Sequence, residues 1–283
     1  MQICMRFPQG KTKALTLNYD DGIYQDIKLV SIMKKYGIRG TFNINSGIFK
    51  DSPNDYRKGN RMTREETVKT FKDSGMEIAV HGLYHDHMTT NPSVMTAYDF
   101  FTERENLEEM FGTIVRGMAY PYGSVTDRMI EAMKTAGLVY GRTVNETHKF
   151  DIPINNDNEW FRITTTCHHR DPKLMEIAEK FINEKATIWP EIFCVWGHSY
   201  EFDMHNNWDV IENFCEKMSG KEDIWYTTYG EIHDYFYAYN RLVFSVDGGS
   251  VYNPNAKSIW LCYDGQTIEL LPGSTTVFEK EKL

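Results

Sequence analysis

No segment of these 283 residues is apolar for long enough to span a bilayer, and Met1-Gln2-Ile3-Cys4-Met5-Arg6-Phe7-Pro8 is too short and interrupted for a secretory leader. A basic footprint is missing as well. Lys and Arg number 31 against 40 Asp and Glu, a net charge of −9 that argues against a nucleic-acid partner. Cysteines are scarce: five, with no short paired spacing, read as free thiols in a reducing compartment and hence as a cytoplasmic protein. No Gly-x-Gly-x-x-Gly turn follows a strand-like run, which removes the usual dinucleotide signature. Repeats and low-complexity stretches are also lacking. With 41% hydrophobic content, the chain can bury one large core.

What the chain does have is alternation. Apolar or β-branched runs recur near 14–19, 39–45, 76–80, 114–120, 138–144, 161–166, 192–197 and 224–229. Helix-like stretches separate them at 24–36, 63–74, 92–111, 124–136, 172–187, 207–219 and 230–240. Strands alternating with helices predict an α/β fold: a distorted (β/α) barrel of seven or eight parallel strands, in preference to an open doubly wound sheet. The barrel is expected over 1–240. Residues 241–283 carry Asp-Gly turns between short alternating runs and predict a small antiparallel β appendage.

Chemistry collects where the runs end. Asn18-Tyr19-Asp20-Asp21-Gly22 closes the first, and two adjacent carboxylates there call for a cation. Met76–Val80 leads directly into His81-Gly82-Leu83-Tyr84-His85. Two imidazoles and one carboxylate favour a borderline metal such as zinc, with cobalt or nickel able to take the same donors; three protein ligands leave positions open for catalysis. Other run ends carry Asn43 and Asn45, Tyr120-Pro121-Tyr122, Arg142, Cys167-His168-His169 and His198-Ser199. Polar groups on one rim are the mark of a barrel enzyme.

These motifs, with Ala119-Tyr120-Pro121-Tyr122-Gly123 and Trp196-Gly197-His198-Ser199 in the same order, resemble the polysaccharide deacetylases of carbohydrate esterase family four over roughly 12–235. The resemblance implies a distorted barrel that hydrolyses N-acetyl or O-acetyl groups on sugars with a divalent metal. It assigns Asp20 as general base, Asp21, His81 and His85 as metal ligands, and His198 as the acid that protonates the leaving amine or alcohol. The backbone N–H of Tyr122 would help hold the oxyanion. The chemistry gives its own reasons: amide hydrolysis needs a nucleophile better than free water, here metal-bound water, and the departing nitrogen cannot leave as an anion. A hydrolase of linear or cyclic amides or imides is the alternative function, and a metal-containing carbohydrate-binding protein the alternative of another class. A pure binder has no use for the spare carboxylate of Asp20.

The sequence departs from the family at Asn18-Tyr19, at Gly82 and at Ala119. The last position, two residues before the proline, ordinarily holds an Arg that partners the catalytic Asp. Arg116 and Arg142 are the candidate substitutes. The segment Asp157-Asn158-Glu159-Trp160-Phe161-Arg162 falls where the family supports its acid histidine. Tyr120, Trp196, His168, His169 and Arg142 are the candidate substrate contacts, with only one of the adjacent histidines expected to face the site. Tyr84, Tyr122, Tyr200 and Phe202 add rim aromatics for a sugar face. Lys50–Asn60 reads as a polar loop shaping the cleft. The expected partner is a carbohydrate or small amide, with no nucleic acid and no membrane; the oligomeric state is not legible.

Overall fold

In the computed structural model, residues 2–53, 59–151, 158–185 and 188–278 are described. The centre of the Lys50–Asn60 loop, residues 54–58, lies outside them, as does Asp157. Strand β1 (Ile3–Arg6) precedes the barrel, which opens with β2 (Lys13–Asp21), α1 (Asp26–Lys35), β3 (Gly40–Ile44), α2 (Arg64–Phe71) and β4 (Glu77–Val80). It continues through α3 (Ser93–Phe111), β5 (Gly117–Ala119), α4 (Asp127–Thr135), β6 (Tyr140–Glu146), β7 (Ile163–Thr165), β8 (Cys167–His168) and α5 (Leu174–Asn183). Strand β9 (Glu191–Gly197), α6 (Tyr200–His205), α7 (Trp208–Met218), β10 (Ile224–Tyr226) and α8 (Tyr229–Asn240) complete it.

The strands run in the order β7-β6-β5-β4-β3-β2-β9-β8, with β10 alongside the first half of β2. Strands β7 and β8 are two parts of one bent segment. Its first part bonds to β6 and its second to β9, so this kink brings the ends of the sheet together. The result is the expected nearly closed barrel of eight parallel strands. Strand β2 is buried along Lys13–Asp20, as a parallel strand covered on both faces must be. Helix starts follow the local sequence: Thr63 and Glu66 form a reciprocal capping box for α2, and the Thr126 and Thr228 hydroxyls cap α4 and α8.

Two small antiparallel sheets follow. One joins β11 (Val243–Phe244), β12 (Ser250–Tyr252) and β15 (Thr275–Val277). The other joins β13 (Ile259–Tyr263) and β14 (Gln266–Leu270) to β1, pairing Ile3 with Tyr263 and Arg6 with Trp260. A separate apolar cluster of α8, β1 and these strands, with Met5, Phe7, Tyr235 and Leu261 in it, fastens them to the barrel. All five cysteines are buried and unpaired. Among the described residues no helix is long and apolar enough to cross a membrane.

Candidate active site and metal centre

Alternation along β2 sorts its polar residues. Asn18 and Asp20 share one face, and both are buried. Tyr19 points the other way into the core, stacking on Phe42 and His169. Neighbouring strands supply partners. Asn43 on β3 donates to Asn18 Oδ1 at 2.7 Å and to Asp20 Oδ1 at 2.8 Å. Arg142 on β6 donates from Nε to Asn18 Oδ1 at 3.0 Å and from Nη2 to Asp20 Oδ1. Burial alone would raise the Asp20 pKa, but the Arg142 guanidinium, with His81 and His198, outweighs it and holds the carboxyl at about 2. Arg142 therefore stands where the missing family arginine would act. The other candidate, Arg116, pairs with Asp234 on α8 instead.

Asp21, the last residue of β2, has φ of +89°, which swings its carboxylate away from the line of Asp20. His85 and Tyr122 also have positive φ, at +55° and +60°. Side chains rarely hold such angles without a compensating constraint, and three of them meet at this site. Asp21 Oδ1 lies 3.9 Å from His81 Nε2 and 3.8 Å from His85 Nε2. His81 Nδ1 bonds to the Ala119 carbonyl at 2.8 Å, which fixes the ring proton there. His81 Nε2 is left a buried lone pair with no hydrogen-bond partner. An orphaned imidazole nitrogen between two carboxylates fits a cation, so the triad suits a divalent metal.

The ligand loop is held from below. Asn45 Nδ2 donates to the carbonyls of His81 and Gly82, each at 2.6 Å. Glu103 on α3 accepts the backbone N–H of His81 at 3.2 Å and of Ser46 at 3.4 Å. Its burial pushes its pKa well up. Asp99, one helical turn earlier, accepts the N–H of Leu83 at 3.0 Å. Arg61 clamps Asp21 from the other side, with Nη2 3.0 Å from Oδ1 and Nη1 2.9 Å from Asn45 Oδ1. Sequence reasoning missed Glu103 and Arg61. Glu103 had a signal, because it interrupts the buried stripe Thr96, Phe100, Leu107 of α3. Arg61, beyond a loop, had none.

His198 follows the end of β9, half-exposed, with its pKa raised; burial opposes the charge, but Glu201, Asp20 and Asp21 favour it more strongly. Tyr122 presents its ring on the surface, stacked on His87 at 3.7 Å between centroids and edge-on to His85 at 4.7 Å. The substrate-contact expectations need correction. Tyr120 is fully buried and its hydroxyl donates to the Phe161 carbonyl at 2.8 Å, so it serves the core. His169 is buried between Tyr19 and Phe202, and Phe202 is itself buried. Arg142 is wholly enclosed and occupied by Asp20 and Asn18. Trp196 lies beneath, its ring 5.1 Å from the Arg142 guanidinium. His168 turns toward Glu201. Trp160 packs edge-on against His233 of α8 and not against the acid histidine. Of the rim aromatics expected from the sequence, Tyr84 and Tyr122 are exposed and Tyr200 is half-buried.

The family model described as polysaccharide deacetylase matches residues 8–141, which hold the first three motifs. Residues 8–141 of the chain thus resemble the polysaccharide deacetylases. Solved structures share its fold. A Mycobacterium smegmatis protein assigned to the polysaccharide deacetylases superposes with a TM-score of 0.61 at 15% identity, over 84% of this chain and 94% of that one. A family 4 carbohydrate esterase from Streptomyces lividans, in complex with acetate, gives 0.51 at 14% identity, over 76% and 91%. With the Streptococcus pyogenes deacetylase PplD, also in complex with acetate, the TM-score is 0.45 at 17% identity; 53% of this chain is covered and it spans 62% of that one. No curated protein sequence matches the chain. The motifs matched by the family model thus sit on a barrel that these solved structures share.

Proposed function

We propose that this protein is a metal-dependent deacetylase that removes acetyl groups from an N-acetylated or O-acetylated carbohydrate. The reading is carried by one observation: beside a triad that fits a metal stands a second buried carboxylate, Asp20, kept ionised by Arg142. A binding protein needs no such base.

Asp21, His81 and His85 would hold the ion, with zinc favoured by the donor set and cobalt or nickel compatible with it. When bound, the ion supplies Lewis-acid chemistry, acidifying water and polarising the acyl carbonyl. Asp20 takes the proton of the attacking water, and Arg142 and Asn43 keep its carboxylate aimed. The Tyr122 N–H, at a backbone position of positive φ, offers a fixed dipole to the oxyanion. His198, with its pKa raised, gives its proton to the departing nitrogen or oxygen. Tyr84 and Tyr122 offer aromatic faces to a sugar ring. Buried, unpaired cysteines are compatible with work in a reducing compartment.

Acetate release from a panel of N-acetylated and O-acetylated oligosaccharides, after chelation and resupply of zinc or cobalt, tests the reading. Release is expected only with metal. Asp21→Ala should lose metal by elemental analysis, and Asp20→Asn should keep it while turnover falls about 10²- to 10⁴-fold. Turnover of cyclic amides and not of any acetylated sugar would replace the substrate class.

A further inference from the structure

Nothing in the motifs says what orients His198, and Trp160 of the segment expected to do so packs against α8 instead. Glu201 is in the first turn of α6, three residues after His198, with its side chain almost completely buried. A lone carboxylate in that position would be costly, and this one is surrounded by cations and imidazoles. Its Oε1 accepts from Arg170 Nη1 at 2.8 Å. Its Oε2 lies 3.2 Å from His168 Nε2, 3.3 Å from His169 Nε2 and 3.6 Å from His198 Nδ1, and accepts the backbone N–H of His198 at 3.3 Å. These groups come from β8 and the turn after it, from the end of β9, and from α6. Gly197 makes the approach possible, because a Cβ there would overlap the His169 ring.

His168, His198 and Glu201 lie close enough together to hold a cation. The tautomer of His168 speaks against it. Its Nδ1 accepts the N–H of Arg170 at 3.1 Å, so the ring proton is on Nε2, and that nitrogen has no lone pair to give a metal. What remains is a carboxylate ringed by imidazoles. His198 Nδ1 is buried and without a hydrogen-bond partner, 3.6 Å from Glu201 Oε2, a distance that a small turn of either side chain closes to a hydrogen bond.

We propose that Glu201 is the positioning residue of His198, taking its Nδ1–H so that Nε2 carries the proton for the leaving group. This rests on the deacetylase reading above. As the C–N bond breaks, the proton passes from Nε2 to the departing nitrogen, the acyl carbon leaves as acetate with the oxygen it gained from water, and His198 ends neutral with its proton still on Nδ1. Glu201 stays ionised throughout. The charges of Asp20 and Asp21 also act on His198, and His168, His169 and Arg170 gather on the same Glu201 carboxylate.

The test compares two leaving groups in metal-loaded enzyme. Glu201→Gln should reduce kcat/KM on an N-acetylated oligosaccharide about 10- to 100-fold, part of what general acid catalysis supplies, and on an aryl acetate less than about threefold, since a phenolate needs no proton to leave. Metal content should be unchanged. In a His198→Ala background Glu201→Gln should add nothing. Equal losses on both substrates, or a full additional loss without His198, would overturn the proposal. If the native protein turns over neither substrate, the deacetylase reading fails instead, and ¹⁵N NMR of the imidazoles still decides the role of Glu201. Neutral His198 is expected to be Nδ1-protonated in the native protein and Nε2-protonated in Glu201→Gln; an Nε2-protonated ring in the native protein sinks the assignment.

Discussion

Removing the Arg142 guanidinium is the sharpest perturbation available to the barrel interior. Arg142→Met keeps length and apolar volume but leaves Asp20 behind. The two side chains are 0% and 3% exposed, so the Asp20 charge would lie in the core with Asn43 left to bond it among the described residues. Breaking a buried pair from one side costs about 3–5 kcal/mol. Arg142 also bonds Asn18 and lies over the Trp196 ring, and those losses fall within the same range. Urea unfolding of chelator-treated protein reads the cost. Adding Asp20→Asn to Arg142→Met should recover about 2 kcal/mol or more, because the stranded charge is gone. Arg116→Met is the control: Arg116 and Asp234 are 36% and 35% exposed, and pairs of that kind contribute about 0.2–1 kcal/mol. In the active enzyme, loss of Arg142 removes the strongest influence that lowers the Asp20 pKa, so the acid limb of kcat/KM should move to higher pH. A cost below about 1 kcal/mol for Arg142→Met, or no recovery in the double variant, would refute the pairing as the substitute for the arginine absent at Ala119.

Other outcomes follow from the groups around the site. Asp26 accepts the Ser199 hydroxyl at 2.6 Å and the Ile23 N–H at 3.0 Å, tying the metal loop to the loop of His198, while burial pushes its pKa up to about 7. A carboxyl raised in the folded state binds its proton more tightly than the unfolded chain does. Its contribution is therefore full below about pH 4 and is lost as pH rises toward 7, by at most about 1.4 kcal/mol per pH unit. Asp26→Asn should flatten that slope in denaturation at pH 4.5, 6 and 8; a variant with the native slope would exclude Asp26 as its source. Glu103→Gln should behave like the native protein, since an amide oxygen accepts the same two N–H groups. Glu103→Ala, which strands the N–H groups of His81 and Ser46, should lose about 2–4 kcal/mol and bind zinc more weakly by calorimetry.

Much of this was legible in the chain because it depends on short-range pattern. Every parallel strand expected near 14–19, 39–45, 76–80, 138–144 and 192–197 is present, since a buried strand must be continuously apolar wherever it lies. The carboxylate pair and the two histidines were legible for a related reason: in a βα barrel the residue after a strand is on the rim, so local order in sequence becomes proximity in space. The small elements were not. Strand β8 is two residues of a bend, and α6 is six residues stopped by Asn206 at φ of +49°, both too short for periodicity to register.

Partner choice required the tertiary structure. The sequence left Arg116 and Arg142 equal as substitutes for the missing arginine; only the turn of the barrel brings β6 opposite Asp20 and sends Arg116 outward to Asp234. It placed Tyr120 and His169 on the rim, where they belong by position, but not their direction, which the pleat and the packing against Phe161 and Phe202 decide. Glu103, Arg61 and Glu201 act across separations that no local pattern encodes. The chain thus declared by itself which residue types gather at the barrel's rim, because strand ends fix that; which charge faces which was decided by three-dimensional closure, because electrostatic pairing depends on distances that sequence separation does not carry.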